Sequence, residues 1–224
     1  MELRTMKNSV ITNWAAGATA VASLAWLFLS FHPFPPDIDH RLHEAVGEKM
    51  AEEAIRLRDA TSRIIVLARD TSAFEVPAAE AQLESFLHRI NKQGFGAPIV
   101  RLVKVDPLRA VSVPPGDFFD LLRLGSETDV LVSLLGPPML TAEQSARLPA
   151  KRPRVVALCA GGIPLSDDLK RLFKLELLNT AVVSQPHAPA RTTAKTRQGA
   201  FEEMFRLVTP ANFSELAGIA GEPR

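Results

Sequence analysis

The chain has 224 residues but only one cysteine, no tyrosine and almost no net charge. With Cys159 alone there is no internal disulfide and no multi-cysteine zinc site, and the redox compartment stays open. Lys and Arg number 26 against 25 for Asp and Glu, a formal charge of +1. No broad positive field exists to attract a polyanion, which argues against nucleic acid as a partner. Phosphate-cradling signatures are also missing: no G-x-G-x-x-G follows the first strand-like run, and G-x-x-x-x-G-K-[ST] occurs nowhere. There is no repeat of solenoid type.

What is present is a long uncharged stretch near the amino end. Between Lys7 and Asp37 the only ionisable side chain is His32, and residues 10–31 read VITNWAAGATAVASLAWLFLSF. At ~1.5 Å per residue such a helix matches a hydrocarbon core of ~30 Å, so a transmembrane helix is expected and the lipid bilayer becomes a partner. Arg4 and Lys7 would also suit a cleaved secretory signal, but SFHPFPPDID after Leu29 offers no small-x-small cleavage site, which favours an uncleaved anchor. The other flank has Asp37 and Asp39 and no Lys or Arg before Arg41. The positive-inside tendency then makes residues 1–9 a short cytoplasmic tail. The chain is thus expected to be a single-pass protein of the inner (cell) membrane, with its larger part in the periplasm. Ala15, Ala18, Ala22 and Ala25 fall on one helical face, small enough for close approach of a membrane-protein partner.

Residues 32–62 hold a proline break and an amphipathic helix, with Leu42, Val46, Met50, Ala54 and Leu57 on one stripe. That helix serves either as a stalk or as cover for the domain that follows. From residue 63 the period changes. RIIVLA (63–68), APIVRLVKVDP (97–107), TDVLVSLLGPP (128–138), RVVALCAGG (154–162) and LNTAVVSQP (178–186) read as five strands. Helices are expected over residues 78–91, 117–124 and 141–148, the last with Thr141 and Gln144 as a capping box, and after Ser166 as a further cap. Strands alternating with helices predict a three-layer α/β fold over residues 63–186, with a mostly parallel, five-stranded, doubly wound (Rossmann-like) sheet. Residues 187–224 read as a mobile loop and a carboxyl-terminal segment, with 201–210 returning as an edge strand or a helix.

In open sheets of this kind ligands bind outside the carboxyl ends of the strands, where the strand order reverses. The candidate ligand-binding residues there are Asp70, Thr71 and Ser72 after the first strand and Asp106 after the second. Gly136 on the third and Gly161 and Gly162 on the fourth complete the set. Asp70 can accept hydrogen bonds from a ligand or brace its own loop amides. An enzyme reading would pair Asp70 with Asp106 for acid and base work or for Mg²⁺. Cys159 with His187 would make a nucleophile only if the thiol were ionised, and the run VVALC points to a buried apolar role. His40 and His43, at i, i+3 beside acids, could hold a metal, but on a charged helix start such residues are more often a solvated face. No catalytic set or metal site is expected, and the sequence leaves the cofactor open. The leading reading is a non-catalytic module that binds a ligand or partner, or a subunit of a membrane assembly.

The stretch TDVLVSLLGPPMLTAEQSARLPAKRPRVVALCAGG runs strand, Pro-containing loop, short helix, then a strand entered through a basic-proline turn. In this rhythm residues 63–186 resemble one lobe of the type I periplasmic-binding-protein superfamily. The resemblance implies a three-layer lobe of a ligand-binding fold and assigns no binding residue.

Overall fold

The computed structural model describes residue 14, residues 17–28, residue 30, and residues 38–105, 112–160 and 166–213. The chain divides into two compact units, Met1–Ile38 and Asp39–Arg224. In the first, residues 17–28 are helical, and Trp14, Val21, Leu24, Trp26, Leu27 and Phe28 are all exposed. Gly17, Ala18, Val21, Ala22 and Ala25 share one shallow apolar face. Among the described residues no helix is long and apolar enough to cross a membrane. Ala15 and several other residues of the expected span lie outside the described residues.

The second unit is built on one sheet. Its strands are β1 (Ile64–Arg69), β2 (Ile99–Val103), β3 (Val130–Ser133), β4 (Arg154–Cys159), β5 (Thr180–Ser184) and β6 (Phe205–Val208). They lie in the order β2-β1-β3-β4-β5-β6, parallel except for β6, which runs antiparallel to β5. The α/β expectation therefore holds with a correction: the sheet has six strands, not five. Helix α6 (Arg197–Met204) leads directly into β6, so residues 201–210 contain both the helix and the edge strand that the sequence left as alternatives.

Strands with apolar residues at successive positions must be covered twice. On one face Ile65, Leu67, Leu131, Val155 and Ala157 pack beneath α3 (Pro115–Leu124) and α5 (Ser166–Lys174), through Phe118, Leu122, Leu169 and Phe173. A short helix, α4 (Ala142–Ala146), joins β3 to β4 and begins with the expected Thr141–Gln144 capping box. On the other face Ile64, Val66, Val130, Val132 and Val156 meet α1 (His40–Leu57), α2 (Pro77–Lys92) and α6. The side chains of Ser166 and its neighbour lie outside the description, so the expected cap there does too.

Helix α1 is cover, not stalk. Val46, Met50, Ala51 and Ala54 are fully buried against the sheet. At ~1.5–3 kcal/mol for each large apolar side chain taken from water, Val46 and Met50 outweigh an exposed pair such as Arg41–Asp39, worth roughly 0–1 kcal/mol. Polar groups fix its register: Ser85 Oγ donates to Glu44 O at 2.8 Å, and Arg56 Nη2 bridges Glu53 Oε2 at 2.7 Å and Thr180 Oγ1 at 3.2 Å. Closest approach is at Gly47, where a Cβ would stand 2.2 Å from the backbone oxygen of Gln82.

At the amino ends of the strands the carboxyl of Asp129, 1% exposed, binds two residues. Arg63 grips it through Nε at 3.0 Å and Nη2 at 2.6 Å, and the Ser126 N–H donates to Oδ2 at 2.9 Å. The Arg63 hydrogen bond, helped by the Ser126 amide and the Arg63 charge, holds the Asp129 carboxyl below its ordinary pKa. Arg154 ties the same end to the close of α1, donating to Leu57 O and to Asp59 Oδ2.

Two outcomes are expected in urea unfolding. Gly47→Ala should lose about 2 kcal/mol because the new methyl meets backbone, whereas Gly96→Ala, with nothing within 4 Å, should be neutral; an unchanged Gly47→Ala midpoint would contradict the close packing. Asp129→Asn should lose ~1–3 kcal/mol near neutral pH. Because the folded-state pKa is depressed, this contribution is present above the unfolded carboxylate value of about 3.9 and disappears as pH falls through the lower folded value. The gap between Asp129→Asn and the unaltered chain should therefore close in acid; a gap independent of pH would contradict it.

Candidate functional site

The order β2-β1-β3 means the chain winds outward in one direction from β1 to β2 and in the other from β3 onward, so the reversal lies between the carboxyl ends of β1 and β3. Asp70, Thr71 and Ser72 follow β1 there, and Gly136 lies just past β3. The loops leave the sheet in an orderly way: Asp70 N donates to Val103 O at 2.9 Å and Leu134 N to Leu67 O at 3.0 Å. Ser133 is fully buried, and its Oγ accepts the Leu135 N–H at 3.3 Å. Gly136 turns with φ +110°, a backbone region closed to most side chains, so it permits the sharp exit before Pro137 and Pro138.

Asp70 settles its role in this loop. Its Oδ1 accepts the Ser72 N–H at 3.0 Å. The Ser72 side-chain and backbone hydrogen bonds hold its carboxyl below the ordinary range, with nearby Lys104 adding to the effect. This is a loop brace. Asp106, Gly161 and Gly162 lie outside the described residues. Of the predicted set, the topology thus brings Asp70, Thr71, Ser72 and Gly136 to the two strands that flank the reversal. Thr71 is half-buried, and Ser72 and Phe74 beside it are exposed.

Cys159 sits on β4 facing the core, with Sγ 3.8 Å from Ala157 O, and burial pushes its pKa up to about 12. It stays a neutral thiol, while His187 is exposed in the loop after β5. His43 is half-buried, its Nδ1 3.2 Å from Gln82 Nε2, and desolvation lowers its pKa. Among the described residues no three metal-binding side chains gather.

Groups that the sequence did not single out organise the far edge. Glu203 accepts from Thr193 N at 3.0 Å, Thr193 Oγ1 at 3.1 Å, Ala194 N at 3.2 Å and Thr192 Oγ1, which together hold its pKa low and tie the loop before α6 to that helix. A lone Glu after a Thr-rich stretch carries no periodic signal that would have marked it.

No family model matches the chain, and no curated protein matches it in sequence. Among solved structures it is similar to a carbohydrate transporter solute-binding protein from Agrobacterium radiobacter in complex with D-arabinose. The identity is 16% and the TM-score 0.48, over 81% of this chain and 63% of that one. A putative LacI transcriptional regulator from Bacteroides fragilis is 10% identical with TM-score 0.49, over 77% and 61%. The periplasmic component of an ABC-type sugar transport system from Hahella chejuensis is 14% identical with TM-score 0.45, over 81% and 57%. The chain spans about three-fifths of their length.

The buried thiol gives a direct check. At mildly alkaline pH Cys159 should resist iodoacetamide in the folded chain and react at once in denaturant; rapid labelling of folded protein would show that the thiol is neither buried nor neutral.

Proposed function

We propose that the chain is a single-pass protein of the inner membrane whose α/β domain faces the periplasm. There it binds a ligand or partner, without turning it over, outside the carboxyl ends of β1 and β3. Residues 1–9 are the cytoplasmic tail, 10–31 the span, 32–62 the proline break with the covering helix, and 63–186 the sheet domain. Residues 187–224 form the loop and the terminal segment. The anchor reading is carried by one observation: the amino-terminal stretch lacks charge, and Val21, Leu24 and Trp26 on its helix are 66–73% exposed. Apolar side chains displayed around a helix in this way are stable in lipid and costly in water.

The binding reading rests on the strand-order reversal. Asp70, Thr71, Ser72 and Gly136 stand beside it, and Asp106, Gly161 and Gly162 belong to the same set of strand-end loops. With Asp70 engaged by Ser72, the site favours recognition through loop polar groups over acid–base chemistry. A membrane-protein partner would pack on Ala15, Ala18, Ala22 and Ala25, where small side chains let backbones approach.

Full-length chain should remain in the membrane pellet through an alkaline carbonate wash; release into the supernatant would remove the anchor. After detergent extraction it should co-purify with a membrane protein, and Ala18→Leu with Ala22→Leu should abolish that association without releasing the chain from the membrane. A chain that purifies alone, or a complex indifferent to both substitutions, would contradict the helix-face assignment.

A further inference from the structure

Strand β2 is the edge strand opposite β6, and its outer side is open. Val103 O accepts the Asp70 N–H at 2.9 Å, and the parallel ladder runs from Ile65–Ile99 to Arg69–Val103. Backbone groups alternate sides along a strand, so Ile99, Arg101 and Val103 turn theirs toward β1, while Val100 and Leu102 turn an N–H and a C=O each away from it. Among the described residues nothing bonds to those outward groups. At the other edge, by contrast, Leu207 O of β6 is taken by Asn212 Nδ2 at 3.1 Å.

The side chains along this edge are unmatched as well. On the face shared with Ile65 and Leu67, Ile99 is 40% exposed, and the exposed Arg101 has no ion pair among the described residues. On the face shared with Val66 and Ala68, Leu102 is 58% exposed, and the exposed Lys104, near Asp70, follows it. An open apolar edge is a template for another strand, and the charge on it selects which strand. A second copy laid antiparallel on β2 would bring the Arg101 and Lys104 cations of both copies near one another. An acidic residue in the same place would be attracted, since opposite charges facing each other across two strands stabilise the pair and like charges weaken it.

We propose that β2 docks an extended segment of a partner protein as a seventh, antiparallel strand. An acidic residue of that segment lies opposite Arg101, and apolar residues lie opposite Val100 and Leu102. This surface is separate from the strand-order reversal between β1 and β3, and the proposal stands without a ligand there. Main-chain hydrogen bonds to the outward groups supply affinity, and the apolar–acidic–apolar alternation supplies specificity.

The test is fluorescence anisotropy of the full-length chain in detergent with three labelled, end-blocked pentapeptides: Thr-Val-Glu-Val-Thr, Thr-Val-Lys-Val-Thr, and the first with both valine nitrogens methylated. The Glu peptide should bind at least about fivefold more tightly than the Lys peptide. Methylation removes the donors that face Val100 and Leu102 and should abolish binding. Arg101→Glu should reverse the order of the Glu and Lys peptides. Leu102→Pro removes an outward N–H and leaves the ladder to β1 whole, as edge prolines do, and should weaken the Glu peptide about tenfold. Equal binding of the Glu and Lys peptides, no binding of either, or binding that survives methylation overturns the proposal. So does a dimer of the chain that Leu102→Pro dissociates, because a second copy would then be the occupant. The peptide comparison on the unaltered chain decides the matter even if a variant does not fold.

Discussion

Strands β1, β3, β4 and β5 present apolar side chains to both faces of the sheet, and everything else in the domain answers the need to keep both faces dry. Helices α3 and α5, which return the chain between parallel strands, cover one face. On the other, α2 lies against β1, which leaves Val130, Val132 and Val156 needing a second helix. Helix α1 supplies it from before the first strand. The fit depends on Gly47, since any side chain there would hold α1 off Gln82 and open the interface that Phe86 and Met50 fill.

The polar groups divide by end. At the amino ends of the strands Asp129, Arg63, Arg154 and Asn179 stitch neighbouring segments together: Asn179 Oδ1 accepts the Val155 N–H at 2.7 Å, and Asp129 O accepts Arg154 N at 3.0 Å. The first joins side chain to backbone and the second backbone to backbone, and both hold neighbouring strands in register. At the carboxyl ends local loop braces, such as Asp70 with Ser72 and Ser133 with Leu135, join the backbone bonds from Asp70 N to Val103 O and from Leu134 N to Leu67 O. A frame locked at one end with loops carried at the other is the arrangement in which open α/β sheets present ligand sites.

The sequence was most informative where burial is two-sided. Runs such as IIVL and VVALC can be satisfied only in a covered parallel strand, so five strands and the layer class were legible, as was the Thr141–Gln144 box, whose chemistry is local. The sixth strand was legible only as one of two alternatives for residues 201–210: FRLV is four residues long, begins where a helix ends, and alternates weakly. The stripe of α1 was visible, but whether it covered the sheet depended on Gly47 meeting Gln82, a contact between residues 35 positions apart. At the site, Asp70 could be placed at a strand end from sequence, yet its turn toward Ser72 is a matter of side-chain rotation. Glu203 gave no signal, because its partners lie in the loop of Thr192, Thr193 and Ala194, which has no periodic pattern.

Hydrogen exchange on the full-length chain tests most directly whether α1 belongs to the folded core. If it covers the sheet, the amides of Met50, Ala51 and Ala54 should exchange in the same slow class as Val66 and Val132, through one cooperative opening. Exchange of the α1 amides orders of magnitude faster than those of β1 and β3 would mean that the helix stands apart from the sheet, and the account of the domain would fail.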